Sequence, residues 1–160
     1  MTEDAALAAR PGEFFSWTEL RAVDAPPEVR RALWWLCHAV LDPLRIALAR
    51  RVRVTSAWRP DAVNDQTPDA AKTSQHERGE AADVKVRGYT AEALARYIVG
   101  MNLPFDQLIW YAPTRRSTNP DGSFHYTPAG QVHVSHTLRR AQRRQTLHAP
   151  AEGGYVKWAA

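Results

Sequence analysis

Hydrophobic residues recur at three- and four-residue steps between residues 24 and 50, a spacing that predicts one long amphipathic helix. Asp24 precedes the helix and is suited to cap it. Pro43 lies inside the pattern, and because its ring displaces the carbonyl of Ala39, we expect a bend there. The apolar stripe that would face the core consists of Leu33, Leu36, Cys37, Val40, Leu41, Leu44 and Leu48.

Short stretches with alternating polarity, or with many aromatic and β-branched residues, predict strands. These stretches are residues 51–56, 81–86, 105–111 and 131–135. Residues 90–99 show helical spacing instead, with Thr90 as the cap. The order of these elements predicts a single α+β domain in which a small, largely antiparallel sheet is covered by helices on one side.

Two polar segments interrupt the pattern. Residues 61–73 contain Pro68 and several small polar residues, which predict an exposed loop. Residues 112–130 contain the turn signal Asn119-Pro120-Asp121-Gly122, which predicts a hairpin beside the strands.

Composition narrows the class of protein only a little. A chain of 160 residues is long enough to bury a core without disulfides, and its one cysteine, Cys37, is expected to be a buried small hydrophobe. The net charge of +4 and the sequence pI of about 9.6 would attract polyanions such as cell-wall polymers or nucleic acid. No apolar run has the length of a membrane span. The residues Met1-Thr2-Glu3-Asp4 do not resemble a secretory signal, so we expect a cytoplasmic protein unless lysis machinery or a virion delivers it.

The stretch from Ser74 to Asp83 places a histidine and a carboxylate at a fixed spacing among small residues. An imidazole and a carboxylate are two of the three protein ligands that a catalytic Zn²⁺ commonly takes. His76 would lie in a loop that leads into the strand at residues 81–86. Alternation in that strand would put Asp83 on one face and the valines on the other.

The arrangement Ser-x-His-x-x-Gly-x-Ala-x-Asp resembles the signature of the zinc D-alanyl-D-alanine carboxypeptidase family of metallopeptidases. That family also contains phage cell-wall endopeptidases, and the hedgehog signalling domain shares its fold. The resemblance covers roughly residues 14–145. Further matching segments are Phe15-Ser16, residues 40–45, Val54-Thr55-Ser56-Ala57-Trp58-Arg59-Pro60 with Asn64, Phe105-Asp106-Gln107-Leu108-Ile109 and Val132-His133-Val134-Ser135.

The resemblance implies a hedgehog/DD-peptidase-like fold and a specific site. His76, Asp83 and His133 would bind Zn²⁺, while Arg59 and Ser74 would face the substrate cleft. The substrate would be a peptidoglycan stem peptide that is cut at an amide bond near D-alanine, by a carboxypeptidase or an endolysin-type endopeptidase. The domain would span residues 14–145, between a flexible arm at residues 1–13 and a tail at residues 146–160.

The sequence departs from the family that it resembles at the general base. Peptidase members usually have an acidic residue three positions before the last histidine ligand, but this chain has Gly130 there. Glycine cannot transfer a proton, and loss of a positioned base typically costs about 10²- to 10⁴-fold in rate. The candidates for a replacement are Glu77, Tyr111, Asp121 and His125.

Two other classes of function stay open. One is an inactive metal-binding module that is structural or binds cell wall, for example a virion component with virion proteins as partners. The other is nucleic-acid binding through a basic cluster, but that cluster is more typical of a solvated helix face, and no reading helix, zinc-finger spacing or aromatic platform supports nucleic acid. The cluster consists of Arg139, Arg140, Arg143 and Arg144.

Overall fold

The computed structural model of the chain describes residues 7, 9–67 and 73–159. The helices are α1 (Pro27–Leu36), α2 (Asp42–Leu48), α3 (Asp61–Gln66) and α4 (Ala91–Gly100), and a π-helical segment, Cys37–Leu41, joins α1 to α2. The strands are β1 (Val52–Ser56), β2 (Ala81–Val86), β3 (Gln107–Tyr111), β4 (Thr114–Thr118), β5 (Phe124–Pro128), β6 (Val132–Ser135), β7 (Gln145–Ala149) and β8 (Val156–Lys157).

Six of these strands form one sheet in the order β1-β2-β6-β3-β7-β8. Neighbouring strands are antiparallel except β3 and β7, which run parallel. β4 and β5 pair only with each other, as an antiparallel hairpin. The predicted α+β domain with a mainly antiparallel sheet packed on helices is confirmed, and so is the hairpin within residues 112–130.

The long predicted helix is divided into three parts. It begins at Pro27 without a side-chain cap, so the prediction that Asp24 caps it is wrong: Pro26 occupies the capping position. In the π segment the Asp42 N–H donates to the Cys37 carbonyl. Pro43 then lies in the first turn of α2, where its missing N–H costs no intrahelical bond. The interruption therefore falls near Pro43 as expected, but as a π segment rather than a simple bend.

The core lies between these helices and one face of the sheet. Val84, Val132, Val134 and Leu108 point from the sheet into it and are fully buried. The predicted stripe of the long helix is buried there too, and burial raises the pKa of the Cys37 thiol well above its ordinary value. Full burial of each large apolar side chain contributes roughly 1.5–3 kcal/mol relative to exposure. Because the core covers this face of the sheet, the polar residues of the strands lie on the opposite face.

The ends of the chain pack against this core. Within the arm predicted at residues 1–13, Pro11 and Gly12 are buried, and the Glu13 N–H donates to Asp42 Oδ2 at 2.8 Å. Residues 1–6 and 8 lie outside the described residues. Within the tail predicted at residues 146–160, β7 and β8 are strands of the main sheet. The domain boundaries stay a prediction.

Two local predictions have different outcomes. Thr90 caps α4, since its Oγ1 accepts the Ala93 N–H at 3.1 Å, which confirms that prediction. The exposed loop predicted at residues 61–73 is wrong in its first half, where α3 forms after Pro60 with an acidic residue in its first turn. The second half, with Pro68, falls largely outside the described residues. No helix in the described part of the chain is long and apolar enough to cross a membrane.

Candidate metal centre

The register of β2 and β6 brings two polar side chains together on the face away from the core. Asp83 is directly opposite His133, and both point away from the buried apolar residues that flank them in sequence. Directly opposed residues on paired strands have Cβ atoms about 4.5–5.5 Å apart. Strand alternation alone therefore places a carboxylate beside an imidazole.

A turn-rich loop before β2 supplies the third side chain. Gly79 ends this loop with φ +70°, and a Cβ there would lie 2.6 Å from the Val29 carbonyl oxygen, so the close packing on α1 requires glycine. The Arg59 N–H donates to the His76 carbonyl at 3.2 Å, and the Trp58 indole N–H donates to the Glu77 carbonyl at 3.2 Å. These bonds hold the loop against the segment that follows β1.

The orientation of the His76 ring is fixed by a backbone carbonyl. His76 Nδ1 lies 2.7 Å from the oxygen of Ala57, which can only accept a hydrogen, so Nδ1 carries the proton. In the metal-binding tautomer Nε2 carries the lone pair, and this nitrogen faces Asp83 and His133. Metal-binding histidines are commonly oriented by such a bond from the other ring nitrogen.

Three potential ligand atoms form a nearly equilateral triangle. His76 Nε2 lies 3.3 Å from Asp83 Oδ1, His133 Nδ1 lies 3.2 Å from the same oxygen, and the two nitrogens are 3.2 Å apart. A tetrahedral zinc with bonds of about 2.0–2.1 Å has ligand atoms roughly 3.3 Å apart. The triangle has the dimensions of one face of that tetrahedron, so the three residues could hold a metal ion.

The charges in the cluster also suit a cation. Burial alone would raise the pKa of Asp83, but the positive charge of His76 and the hydrogen bonds that the two histidines supply when they are protonated lower it well below its ordinary value, and a bound cation would take the place of those protons. Burial lowers the pKa of His133, although Asp83 opposes this, so its ring favours the neutral form that binds metals. The cluster thus presents one carboxylate and two imidazoles that offer lone pairs.

The cluster lies in a cleft of about 750 Å³. Register across the sheet extends the floor from Asp83 and His133 to Ile109 on β3 and Leu147 on β7. Arg59 and Ser74, the predicted substrate-binding residues, both line this cleft. Ser74 also accepts the His76 N–H through its hydroxyl at 3.2 Å, so it shapes the loop that carries the first histidine.

The four candidates for the general base lie in different places. Tyr111 lines the cleft, and burial together with Tyr155 and Asp83 raises its pKa well above the usual value. His125 lies on the strand of the hairpin that pairs with β4, and its Nδ1 is buried without a partner among the described residues. The structure does not bring Asp121 or Glu77 to the cleft. Asp121 lies in the exposed hairpin turn, and Glu77 lines a groove beside α1.

The basic cluster is not a solvated helix face, and that prediction is wrong. Residues 139–144 form no helix, and two buried carboxylates order them. Arg139 Nε lies 2.7 Å from Glu80 Oε1, whereas Arg140 and Arg143 lie 2.9 Å and 2.7 Å from Asp106 Oδ2. A buried carboxylate needs a partner of opposite charge. The sequence did not indicate that Glu80 and Asp106 would be buried.

Arg115 and Tyr155 also line the cleft, and sequence reasoning missed both. Alternation in the hairpin separates Arg115 from Arg116, but no pattern in the sequence tells which of them faces the sheet. Tyr155 lies in a stretch that carried no strand signal. Tertiary packing therefore determines that both residues face the cleft, and no local sequence pattern reveals it.

Comparison with known proteins agrees with this geometry. No curated protein gives a significant match to the chain. A family model described as Peptidase M15 matches residues 15–111, a segment that contains Arg59, Ser74, His76 and Asp83 and ends before His133. Because the match covers more than half of the chain, the protein belongs to the Peptidase M15 family of metallopeptidases, the family to which the zinc D-alanyl-D-alanine carboxypeptidases belong.

Proposed function

We propose that the protein is a zinc-dependent peptidoglycan peptidase that hydrolyses an amide bond in cell-wall stem peptides. The observation that carries this proposal is the triangle of His76, Asp83 and His133 atoms, with sides of 3.2–3.3 Å, at the wall of an open cleft. Family membership supports the same class of reaction.

The protein side chains have separate roles at this centre. Bound Zn²⁺ would supply a water of lowered pKa and polarise the scissile carbonyl. His76 is held in the ligand tautomer by the Ala57 carbonyl, and Asp83 supplies the negative charge that a divalent cation requires. His133 offers Nδ1 as the third ligand atom. Its Nε2 is buried without a partner among the described residues.

Arg59 is suited to hold the carboxylate end of a peptide. Its side chain lines the cleft, and its Nε is buried without a hydrogen-bond partner in the described part of the chain. A guanidinium binds a carboxylate through two parallel N–H donors, which fixes orientation as well as position. The backbone bond from Arg59 to the His76 carbonyl ties this cation to the loop of the first ligand.

Proton transfer is the step for which the cleft is least equipped. Gly130 has φ +69°, a conformation that residues with side chains rarely adopt. Among the described residues that line the cleft, Asp83 is the only carboxylate. Tyr111 stays protonated because its pKa is raised, so we assign it the role of hydrogen-bond donor to the developing oxyanion rather than that of base.

This shortage of carboxylates favours a second candidate function. In that case the protein is a catalytically degenerate relative that keeps the metal site and serves as a structural or cell-wall-binding module, for example in a virion. A bound metal still lowers the pKa of water without a neighbouring base, so slow hydrolysis is the expected behaviour if the first proposal holds.

Turnover of a synthetic stem peptide that ends in D-Ala-D-Ala separates the two candidates. We expect wild type to exceed His76→Ala, and a chelator to abolish the difference. Equal rates for wild type and His76→Ala would contradict the peptidase proposal and leave the structural or cell-wall-binding module as the function. A large loss in His125→Ala or Glu77→Gln with unchanged metal content would identify a replacement base. Release of D-alanine from the free peptide, compared with lysis of cross-linked cell wall, tells a carboxypeptidase from an endopeptidase.

A further inference from the structure

Arg115 projects from β4 of the hairpin into the cleft. It is 8% exposed, although arginine is rarely buried without a partner of opposite charge. Its guanidinium carbon lies 5.3 Å from the ring centroid of Tyr111 and 4.6 Å from that of Tyr155. The two aromatic rings hold the charged group in place without neutralising it.

The hydrogen bonds of Arg115 are incomplete. Nη2 donates to the Gly154 carbonyl at 3.1 Å, whereas Nη1 is buried and has no partner among the described residues. No carboxylate of those residues lies within salt-bridge distance of Arg115. By contrast, Arg139, Arg140 and Arg143 line the same cleft and are each paired with Glu80 or Asp106.

A buried cation with a free N–H is costly unless an anion pairs with it. Cation–π contacts offset part of that cost but do not satisfy the donor. The polar partner that Nη1 lacks is therefore expected from a ligand in the cleft. A carboxylate matches the planar fork of a guanidinium and is an anion that a peptide substrate can carry.

The order of the strands places the metal cluster between two cations that have no carboxylate partner among the described residues. Arg59 follows β1, at one edge of the sheet, and is bonded to the His76 carbonyl. The ligands Asp83 and His133 lie on β2 and β6, the next two strands. Arg115 stacks on Tyr111 of β3 and on Tyr155 before β8, beyond the ligands on the other side.

We propose that Arg115 is a specificity residue that binds a second carboxylate of the substrate, on the opposite side of the scissile amide from the one held by Arg59. This inference rests on the proposed peptidase function. It predicts a substrate class that the metal centre alone does not define: peptides with an acidic group on each side of the bond that is cut.

The test uses the zinc-loaded protein and two synthetic stem peptides. One carries a free side carboxylate on the residue that precedes the scissile bond in the cleft, and the other carries the amide at that position. We expect wild type to prefer the carboxylate peptide by roughly 10- to 100-fold in kcat/KM, the range for a hydrogen-bonded charged group. Arg115→Gln should lose this preference by slowing the carboxylate peptide alone.

Arg116→Gln is the matched control. Arg116 is the next residue on β4, is half-buried, and stacks on Phe124 with 4.4 Å between its guanidinium carbon and the ring centroid. It does not line the cleft. We expect it to keep the wild-type preference. Arg115→Lys should recover part of the preference, since a point charge replaces the fork, and it guards against a simple loss of folding in the glutamine variant.

Binding of the two peptides by calorimetry separates this inference from the proposed function. If wild type cuts neither peptide, the peptidase proposal fails, but tighter binding of the carboxylate peptide that is lost in Arg115→Gln still supports the role of Arg115. Equal affinity and equal kcat/KM for the two peptides in wild type would overturn the inference. The same holds for a preference that Arg115→Gln retains.

Discussion

The protein has two kinds of buried carboxylate, and they differ in the side chains that bind them. Asp83 contacts two imidazoles, whose nitrogens lie 3.2 Å and 3.3 Å from one of its oxygens. Asp106 is fully buried and accepts from two guanidiniums, the Gln75 amide and the Arg143 backbone N–H. Glu80 is similarly surrounded by Arg139, Arg78 and Thr137.

These partners distinguish a candidate binding site at Asp83 from a purely structural cluster. We call that cluster the clamp; it consists of Glu80 and Asp106 with the arginines that bind them, Arg139, Arg140 and Arg143. A guanidinium stays charged at any accessible pH, so it remains paired with Asp106 as long as that carboxylate is ionised and leaves no place for a metal. An imidazole can lose its proton and offer a lone pair, so Asp83 and its histidines can exchange a proton for a cation. The arginine-bound carboxylates fix residues 139–144 at the rim, while the histidine-bound carboxylate stays available for chemistry.

Removing a ligand of the Asp83 cluster should have the largest effect. We expect elemental analysis to find roughly one Zn²⁺ per chain in wild type and none in His133→Ala. Loss of hydrolysis should be on the order of 10³-fold or more, about 4 kcal/mol of barrier, because the activated water goes with the metal. His38→Ala is the control, since His38 is exposed and stacks on Trp34. Wild-type zinc in His133→Ala after dialysis against a weak chelator would refute the ligand set.

Removing the carboxylate of the clamp should act on stability instead. Asp106→Ala leaves the half-exposed side chains of Arg140 and Arg143 without their shared partner and the buried Gln75 amide without its acceptor, and an unsatisfied buried donor costs about 1–3 kcal/mol of unfolding free energy. Urea denaturation followed by circular dichroism measures this. Asp65→Ala, on the exposed face of α3, should leave the midpoint almost unchanged. Equal midpoints for the two variants would mean that the clamp contributes nothing.

Acid should weaken the clamp in a defined direction. Burial alone would raise the pKa of Asp106 and Glu80, but the hydrogen bonds from Arg143 and Arg139 respectively outweigh it and hold each below its ordinary value of 3.8 and 4.5. A lowered folded pKa gives stability that is complete above the unfolded pKa and is lost as the pH falls through the folded value. The melting temperature of wild type should therefore drop below about pH 4. Asp106→Asn should drop less steeply, and parallel curves would contradict this.

The arginines of the basic cluster should differ in how much they stabilise the fold, because Arg143 binds the buried Asp106 whereas Arg144 binds a carbonyl and an amide oxygen. Arg143→Gln removes the guanidinium from Asp106 and should cost about 1–2 kcal/mol, since Gln75 and Arg140 still donate there. Arg144→Gln loses bonds to the Leu103 carbonyl and Asn102 Oδ1 and a cation–π contact with Phe105, none of which involves a buried carboxylate, so about 0.5–1 kcal/mol is expected. Cell-wall pulldown across a salt series should change little in either variant. A strong loss of wall binding without a loss of stability would restore an electrostatic role for the cluster.

The same contrast explains how far the sequence could be interpreted. The helical stripe and the hairpin follow from local patterns and could be predicted from them. The Ser74–Asp83 motif is also local, but His133 lies 50 residues from Asp83, and it was joined to that motif only through the resemblance to a known family. Asp106 is 31 residues from Gln75 and 37 from Arg143, and no local pattern encodes such pairs. Arg115 depends on which face of the hairpin meets the sheet. Tertiary packing determines that face, and the alternation of residues in the sequence does not reveal it.

The smallest expected effect belongs to a carboxylate that is neither buried nor shared. Glu92 accepts from Arg96 one turn along α4, with Nη2 2.8 Å from Oε1, and both side chains are about half exposed. Solvent competes for both charges, so Glu92→Gln should lower the unfolding free energy by only about 0.3–0.5 kcal/mol, and added salt should reduce even that. Urea denaturation at low and high salt tests this alongside Asp106→Ala, whose loss should persist at high salt because the Asp106 carboxylate is fully buried. If both variants lost the same stability, or if salt removed both effects equally, burial would not be what distinguishes the clamp from an ordinary surface pair.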